Sequence, residues 1–203
     1  MNRAGIILCG GKSERMGTAK AMLPFGDELL VQRLVRIVGS AVSPLVVVAS
    51  PGQSLPEFPP ETLLAYDRHL DQGPLEGFAV GLSALPQSTE AVFLTGCDAP
   101  FLSSLFIDRM LMLLDGYAAA VPKQSGRYHP LSAAFSRTVL PQIQTLLGEG
   151  HRRMGFLIES IDARAVSPDE WQDVDPESDS LRNLNNPEDY YRALRDADLE
   201  GRK

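Results

Sequence analysis

Short apolar runs alternate with helical patterns along the whole chain, and this alternation limits its possible folds more than any other feature. The five runs are rich in aliphatic and β-branched side chains and lead into turn-forming residues; they are residues 4–9, 44–49, 62–66, 91–96 and 117–121. Such runs are typical of strands that are buried on both faces. Five further segments have apolar residues at helical spacing and are predicted to be helices. They are residues 30–41 and about 75–85, 103–115, 136–149 and 187–197. This order predicts right-handed crossovers and an α/β fold with a mostly parallel sheet.

A sheet of this kind binds ligands at the carboxyl ends of its strands. The segments that should contain the site are therefore the ones that follow the runs. They are Cys9–Lys20, Ala49–Gly52, Asp67–Gly77, Gly96–Pro100 and Pro122–Pro130.

Length and charge limit the remaining possibilities. A chain of 203 residues suits one well-buried core, so we expect a single domain over residues 1–203. The net charge of -7 argues against a nucleic-acid or membrane-surface binder. Residues 1–40, however, carry six basic and three acidic side chains, a local charge of +3 that favours an early anion site. We interpret the acidic stretch 167–180 as a mobile loop.

The cellular location is also predicted. The chain shows no apolar run of the roughly 20 residues that a membrane helix needs, and its N-terminus does not resemble a signal peptide. Cys9 and Cys97 do not form a disulfide framework, and we expect them to be small buried side chains at strand ends. These features favour the cytoplasm.

The stretch LCGGKSERMGTAK, residues 8–20, suggests a phosphate cradle. Glycines allow successive backbone N–H groups to converge on an anion, and Arg15 and Lys20 would add positive charge. The stretch fails the spacing of both the P-loop and the dinucleotide-binding fingerprint. A plain strand-to-helix connection with surface charges stays an alternative on this stretch alone.

Carboxylates follow two further strands. Asp98 follows the run 91–96 and is placed to hold Mg²⁺, although it could instead cap the next turn or helix. Asp67 follows the run 62–66 and precedes a turn into a helix whose N-terminus could face a ligand. We expect Asp71 and Glu76, by contrast, to be solvated surface residues. His129 could touch substrate or make a structural hydrogen bond.

Several motifs together resemble the molybdenum cofactor guanylyltransferase family. The resemblance begins with Leu8–Gly11, followed by Arg15, Met16, Gly17 and Lys20 in the positions of the family's glycine-rich signature. It continues, in order, through YD (66–67), GPLEG (73–77), CDAP (97–100), HPL (129–131), GHRRM (150–154) and NLNNPED (183–189). These blocks extend over nearly the whole chain.

The resemblance implies a Rossmann-like three-layer sandwich of the nucleotide-diphospho-sugar transferase type. It implies transfer of GMP from GTP to the terminal phosphate of molybdopterin or Mo-molybdopterin, with Mg²⁺ as cofactor and pyrophosphate as the second product. Molybdoenzyme apoproteins or their chaperones are possible recipients of the product. The implied catalytic residues are Arg15, Lys20 and Asp98, with Asp98 holding the metal. The implied nucleotide-binding residues are Leu8, Cys9, Gly10, Gly11, Lys20, Asp67 and Asp98. The candidate contacts to the pterin substrate are His129, Arg152, Arg153, Asn183 and Asn185. By the resemblance, Asn183 and Asn185 would lie near the metal or the pterin phosphate, and Arg152 and Arg153 could equally form a solvated helix end.

The chain departs from the family pattern in places. Ala19 replaces a common aspartate, the glycine-rich loop is one residue shorter, and ASPG (49–52) lacks an asparagine often found after the second strand. Gly11 and Pro74 resemble the guanylyl rather than the cytidylyl relatives, which implies GTP rather than CTP as the nucleotide. A cytidylyl or sugar-phosphate nucleotidyltransferase and a non-catalytic nucleotide-binding protein stay open as alternatives.

Overall fold

The computed structural model describes residues 2–10, 20–68 and 73–199. Its strands are β1 (Arg3–Leu8), β2 (Pro24–Phe25), β3 (Glu28–Leu29), β4 (Leu45–Ala49), β5 (Thr62–Tyr66), β6 (Ala91–Gly96), β7 (Ala119–Gln124), β8 (Arg127–Tyr128), β9 (Ser132–Ser136) and β10 (Ala163–Val166). Its α-helices are α1 (Leu30–Ala41), α2 (Pro74–Ala84), α3 (Ser104–Met112), α4 (Leu140–Gly148), α5 (Met154–Ser160) and α6 (Pro187–Asp196). All five predicted strands and all five predicted helices are present.

The central sheet has the strand order β10-β7-β9-β6-β1-β4-β5, with β8 paired to β7. Neighbouring strands are parallel in the pairs β1–β4, β1–β6, β4–β5 and β7–β10. Strand β9 lies antiparallel between β6 and β7. The mostly parallel sheet is thus confirmed, and β9 is the exception that the apolar pattern did not predict.

Helices cover both faces of this sheet, so the fold has three layers. Consecutive side chains of β1 point to opposite faces of the sheet. Ile6 and Ile7 are both fully buried, but they belong to different core clusters. Ile7 packs in the cluster formed with α1 and α3, and Ile6 packs in the cluster formed with α2, α4 and α5. The alternation of side chains along a strand produces this division.

Strand β5 differs from the expectation. We expected the run 62–66 to be buried on both faces, but it forms the edge of the sheet, with Leu64 48% and Tyr66 49% exposed. Among the described strands, only β4 pairs with it. Apolar composition alone does not separate an edge strand from a central one, because it does not report how many neighbours the strand has.

The stretch 167–180 also differs from the expectation, since it packs onto the domain as two 3₁₀ turns. Trp171 is fully buried against the ring of Phe106, and its Nε1 donates to Ser178 Oγ at 3.1 Å. The Asp175 carboxylate accepts hydrogen bonds from the backbone N–H groups of Asp179 and Ser180, both at 3.0 Å. One buried aromatic residue and local capping therefore order a stretch whose composition suggested a mobile loop.

A third, smaller cluster joins the C-terminal helix α6 to the hairpin β2–β3. It contains Leu23, Phe25, Leu30, Leu184 and Ala193. Tyr190 on α6 donates its hydroxyl to the Pro24 carbonyl at 2.6 Å. This contact places the segment just before α6 beside the segment that follows the glycine-rich stretch.

Within the described ranges, no helix has the length and apolar character needed to cross a membrane.

Candidate active site

The carboxyl ends of β1, β4, β5 and β6 lie side by side, as the strand order requires. Backbone hydrogen bonds continue past the strands at this edge. Cys97 N–H donates to Leu8 O at 3.0 Å, Cys9 N–H to Val48 O at 2.7 Å, and Asp67 N–H to Ala49 O at 2.9 Å. The first residues after these strands therefore form a continuous surface, where the sequence predicted the ligand to bind.

Lys20 and Asp98 meet on this surface. Lys20 Nζ donates to Asp98 Oδ2 at 2.9 Å, and about a fifth of each side chain is exposed. The two residues are 78 positions apart in the sequence. Lys20 begins the 3₁₀ turn Lys20–Met22, while Asp98 follows β6. The structure thus joins two of the three residues predicted to be catalytic, and the third, Arg15, lies outside the described residues.

Asp98 does not cap the next helix, because Ser103 does. The Ser103 hydroxyl accepts from Phe106 N–H at 3.1 Å at the start of α3. The Asp98 carboxylate is therefore left to face the site with Lys20. Its backbone carbonyl accepts from Leu184 N–H at 2.8 Å, which holds the segment 183–185 against the Asp98 loop.

Arg33 supports this loop and was not singled out in the sequence. Its Nε donates to Pro100 O at 2.7 Å, and its guanidinium lies 5.0 Å from the centre of the Phe25 ring. Arg33 is half-buried on α1. The helical pattern of this segment predicts the helix but does not predict that Arg33 contacts a distant loop. Only the packing of α1 beside the loop reveals it.

Asp67 forms the opposite side of the surface. An added Cβ at Gly10 would lie 2.7 Å from Asp67 Oδ2, and one at Gly77 would lie 3.2 Å from Asp67 Oδ1. Asp67 Oδ1 is buried and has no hydrogen-bond partner among the residues that the structure describes. Desolvation, together with the nearby Glu76 carboxylate, raises the pKa of Asp67 to about 6. Asp67 thus has a carboxylate oxygen whose hydrogen-bonding capacity no described residue satisfies.

Glu76 contradicts our expectation of a solvated surface residue. It is 7% exposed on the first turn of α2, where the helix packs on the sheet. Its neighbours Leu75 and Gly77 in the GPLEG segment are also buried, so this whole first turn of α2 lies against the protein. Asp71, for which we had the same expectation, lies outside the described residues.

Cys9 and Cys97 lie beneath the surface as expected. Both are buried, and the contact with the Cys97 thiol and desolvation raise the pKa of Cys9. A raised pKa keeps the Cys9 thiol neutral, and the burial of both residues fits small apolar side chains. The nucleotide contacts predicted for Leu8, Cys9 and Gly10 would involve the backbone at the end of β1.

Beside this surface, a pocket of about 400 Å³ adjoins the Asp98 loop. Its lining includes Arg127, His129, Met154 and Asn183. Asn183 Oδ1 is buried without a hydrogen-bond partner in the described part of the chain. Burial, with a smaller effect from Arg127, lowers the pKa of His129, so its ring is neutral at neutral pH. Two of the five predicted pterin contacts, His129 and Asn183, therefore share one pocket.

The other three predicted pterin contacts lie outside the lining of this pocket. Asn185 is exposed and donates its amide to Asn183 O at 3.3 Å, while Arg153 is exposed just before α5. Arg152 donates to the carbonyl of Leu147 at 2.9 Å and lines a separate pocket between α2 and α4. Their roles stay predictions, as does that of Gly11, which lies outside the described residues.

A metal ion would fit beside Asp98 if a nucleotide shared its coordination. The described ranges contain no group of three or more His, Cys, Asp or Glu residues that could hold a metal. Mg²⁺ often binds through one or two carboxylates, with substrate phosphates and water as the other ligands. The single carboxylate of Asp98, at the carboxyl edge of the sheet, meets that chemical need.

Comparison with known proteins decides the family. The model of the MobA-like NTP transferase domain matches residues 5–164. The chain belongs to this family. It is an enzyme of the nucleotidyltransferase class, as the resemblance implied. The probable molybdenum cofactor guanylyltransferase of Mycobacterium avium is 35% identical over 201 residues, which are 97% of this chain and 97% of that protein.

Solved structures of the same fold extend the comparison. Molybdopterin-guanine dinucleotide biosynthesis protein A from Archaeoglobus fulgidus has a TM-score of 0.79 at 19% identity, covering 96% of this chain and 98% of its own. Rv0371c from Mycobacterium tuberculosis, solved in complex with manganese, has a TM-score of 0.70 at 17% identity, covering 96% and 99%. The 2-C-methyl-D-erythritol 4-phosphate cytidylyltransferase from Thermus thermophilus has a TM-score of 0.72 at 18% identity, covering 98% and 100%. These likenesses confirm the predicted fold class.

Proposed function

We propose that this enzyme transfers GMP from GTP to the terminal phosphate of molybdopterin or Mo-molybdopterin and releases pyrophosphate. The observation that carries the proposal is the Lys20–Asp98 pair, 2.9 Å apart at the carboxyl edge of a nucleotidyltransferase fold. The curated relative from Mycobacterium avium, similar over nearly the whole chain, supports guanine and the pterin as the substrates.

Asp67 and the backbone from Leu8 to Gly10 would bind the nucleoside. Guanine carries two adjacent N–H donors on its base-pairing edge, and a carboxylate can accept both. Asp67 Oδ1 is buried and lacks a donor among the described residues, so a ligand donor would satisfy it. The short distance between Gly10 and the carboxylate leaves room for no side chain at that position.

Lys20 and Asp98 would serve the triphosphate. Lys20 would turn from the Asp98 carboxylate toward phosphate oxygens and neutralise the charge that develops as pyrophosphate leaves. Asp98 would hold a divalent ion, which supplies further neutralisation at the phosphates when it is bound. The manganese complex of a structural neighbour supports divalent metal use, and we propose Mg²⁺ for this enzyme. Arg15 would contribute a second cationic side chain.

The pocket of His129 and Asn183 would hold the pterin acceptor. It adjoins Asp98 through the bond from Leu184 N–H to Asp98 O, so an acceptor bound there would have its phosphate near the nucleotide. A phosphate monoester has a second pKa near ~6 and is largely dianionic at neutral pH. It can attack the α-phosphorus without a general base, and a neutral His129 would only orient it.

Purified enzyme incubated with Mg²⁺, molybdopterin and each of the four nucleoside triphosphates tests the proposal, with pyrophosphate as the readout. We expect turnover with GTP and little with the others. Turnover with CTP would instead support the cytidylyl alternative, for which the fold of the Thermus thermophilus enzyme is the supporting observation. Nucleotide binding without turnover on molybdopterin would indicate a different acceptor, such as the sugar phosphate of the second alternative.

The place of the reaction in the cell belongs to the same proposal. We propose a cytoplasmic, single-domain enzyme whose product passes to molybdoenzyme apoproteins or their chaperones.

A further inference from the structure

The turn after β4 is one of the places where the chain departs from the family pattern. Residues 50–53, Ser-Pro-Gly-Gln, form a β-turn in which Gln53 N–H donates to Ser50 O at 3.1 Å. Proline is favoured at the second position of such a turn, and the third position of a type II turn needs a positive φ. Gly52 has a φ of +75°. The SPG sequence therefore fixes the turn and returns the chain at Gln53 toward the end of β4.

The side chain of Gln53 bridges two strand ends. Its Oε1 accepts from Ser50 N–H at 3.0 Å, and its Nε2 donates to Cys9 O at 3.1 Å. These bonds fix the orientation of the amide, since the acceptor must face Ser50 and the donor must face Cys9. One half-buried side chain thus ties the loop after β4 to the backbone after β1.

The bond to Cys9 O also orients the next amide. Cys9 C=O and Gly10 N–H belong to the same peptide unit, and in a planar trans peptide these two groups point in opposite directions. A donor that holds the carbonyl on the Gln53 side therefore directs Gly10 N–H to the other side. Gly10 is the first residue of the glycine pair, and it lies between Ser50 and Asp67.

We propose that Gln53 is a positioning residue that sets the Cys9–Gly10 peptide for nucleotide binding. The inference rests on the proposed function, because it names the group that aligns the same nucleotide site. Gln53 would hold the Cys9–Gly10 peptide in the same orientation in the nucleotide complex and in the transition state. Its loss should therefore weaken nucleotide binding and leave the chemical step nearly unchanged.

Two substitutions separate the two bonds. Gln53→Ala removes both. Gln53→Glu keeps an acceptor for Ser50 N–H but has no donor for Cys9 O, and its carboxylate would face that carbonyl oxygen. The matched control is Gln32→Ala, because Gln32 makes the same pair of bonds away from the site: its Oε1 accepts from Leu29 N–H at 3.1 Å and its Nε2 donates to Glu57 O at 3.2 Å.

The experiment measures the Kd for GTP by calorimetry, kcat and KM by pyrophosphate release, and Tm for each variant. For Gln53→Ala we expect Kd and KM to rise about tenfold, the effect of one lost hydrogen bond to an ordered group, with kcat changed less than about twofold. Gln53→Glu should weaken binding at least as much. Gln32→Ala should shift Tm as much as Gln53→Ala and leave Kd unchanged.

Each remaining outcome overturns the inference in a recognisable way. If wild-type enzyme binds GTP and both Gln53 variants bind equally well, Gln53 does not position the peptide. If Gln53→Glu matches wild type, the bond to Cys9 O has no role. If the Gln53 variants lose kcat instead of affinity, Gln53 acts in the chemical step. If wild-type enzyme binds no nucleotide, the proposed function fails first and the inference fails with it.

Discussion

Asp67→Asn should weaken guanine nucleotide binding and at the same time stabilise the fold. Burial and the neighbouring Glu76 raise the pKa of Asp67 to about 6, whereas an aspartate in an unfolded chain titrates near ~3.9. The folded state therefore binds this proton more tightly. Ionised Asp67 lowers the free energy of unfolding above pH 6. This destabilisation disappears as the pH falls from about 6 to about 4.

The size of each effect follows from the site. Asp67 is only half-buried, so solvent screens its carboxylate, and we expect Asp67→Asn to gain at most about 1 kcal/mol, or about 2–4 °C in Tm at pH 7 for a chain of this length. The gain should shrink toward pH 5. With a pKa of about 6, roughly 90% of Asp67 is ionised at pH 7 and roughly 10% at pH 5, so the affinity of wild-type enzyme for GTP should fall about tenfold between them.

The assay is calorimetric titration of GTP and thermal unfolding, both from pH 5 to pH 8. GTP phosphates also titrate near pH 6, so the ratio of wild-type to variant affinity at each pH isolates Asp67. Asp175→Asn is the matched control, because Asp175 is buried but accepts two backbone N–H bonds at 3.0 Å, and its substitution should lower Tm. An Asp67→Asn enzyme that keeps wild-type affinity for GTP, or that melts at a lower temperature at pH 7, would refute the reasoning.

Two further predictions concern the rest of the nucleotide site. Lys20→Ala and Asp98→Ala should each lose at least ~2 kcal/mol of transition-state stabilisation, a fall of about 30-fold in kcat/KM measured by pyrophosphate release. Gly10→Ala should raise the KM for GTP several-fold, because the new Cβ would lie 2.7 Å from Asp67 Oδ2 and must displace that carboxylate. Gly148→Ala should leave KM unchanged, because an added Cβ there would meet no described atom within 4 Å beyond its chain neighbours and the backbone of its own helix.

These two predictions have distinct contrary results. Near-normal turnover of Asp98→Ala with Mg²⁺ would remove Asp98 as the metal ligand. An unchanged KM in Gly10→Ala would mean that Asp67 can move without loss of nucleotide binding. Asp173→Ala serves as the ion-pair control for Lys20 and Asp98, since it breaks the exposed pair with Arg109 at 2.6 Å outside the site.

The sequence predicted the layers of the fold from physical regularities that act locally. Continuous apolar runs and helical spacing are visible within a few residues of one another, so the five strands and five helices were found. Strand β9 was missed because its sequence, SAAFS, has one large apolar side chain among serines and alanines, and because its antiparallel position depends on the hairpin before it. The edge position of β5 was missed because composition does not count neighbours.

The site was predicted in part for the same reason. Lys20, Asp67 and Asp98 lie in motifs that follow predicted strands, so their common edge could be inferred. Gln53 and Arg33 lie in no motif, and each acts through a side chain that reaches the backbone of a segment distant in sequence. Glu76 lies in a motif, but its burial depends on how α2 packs on the sheet.

The sequence by itself determined the α/β class and the family, and it predicted the edge of the sheet where the site should lie, because each follows from local patterns and the order of the motifs. Only the tertiary structure decided which groups touch. It placed Lys20 on Asp98 across 78 residues, set the Asp67 carboxylate against Gly10, and tied Gln53 to Cys9. Such contacts depend on strand order and helix packing, which are fixed by the summed burial of the whole core rather than by any one segment.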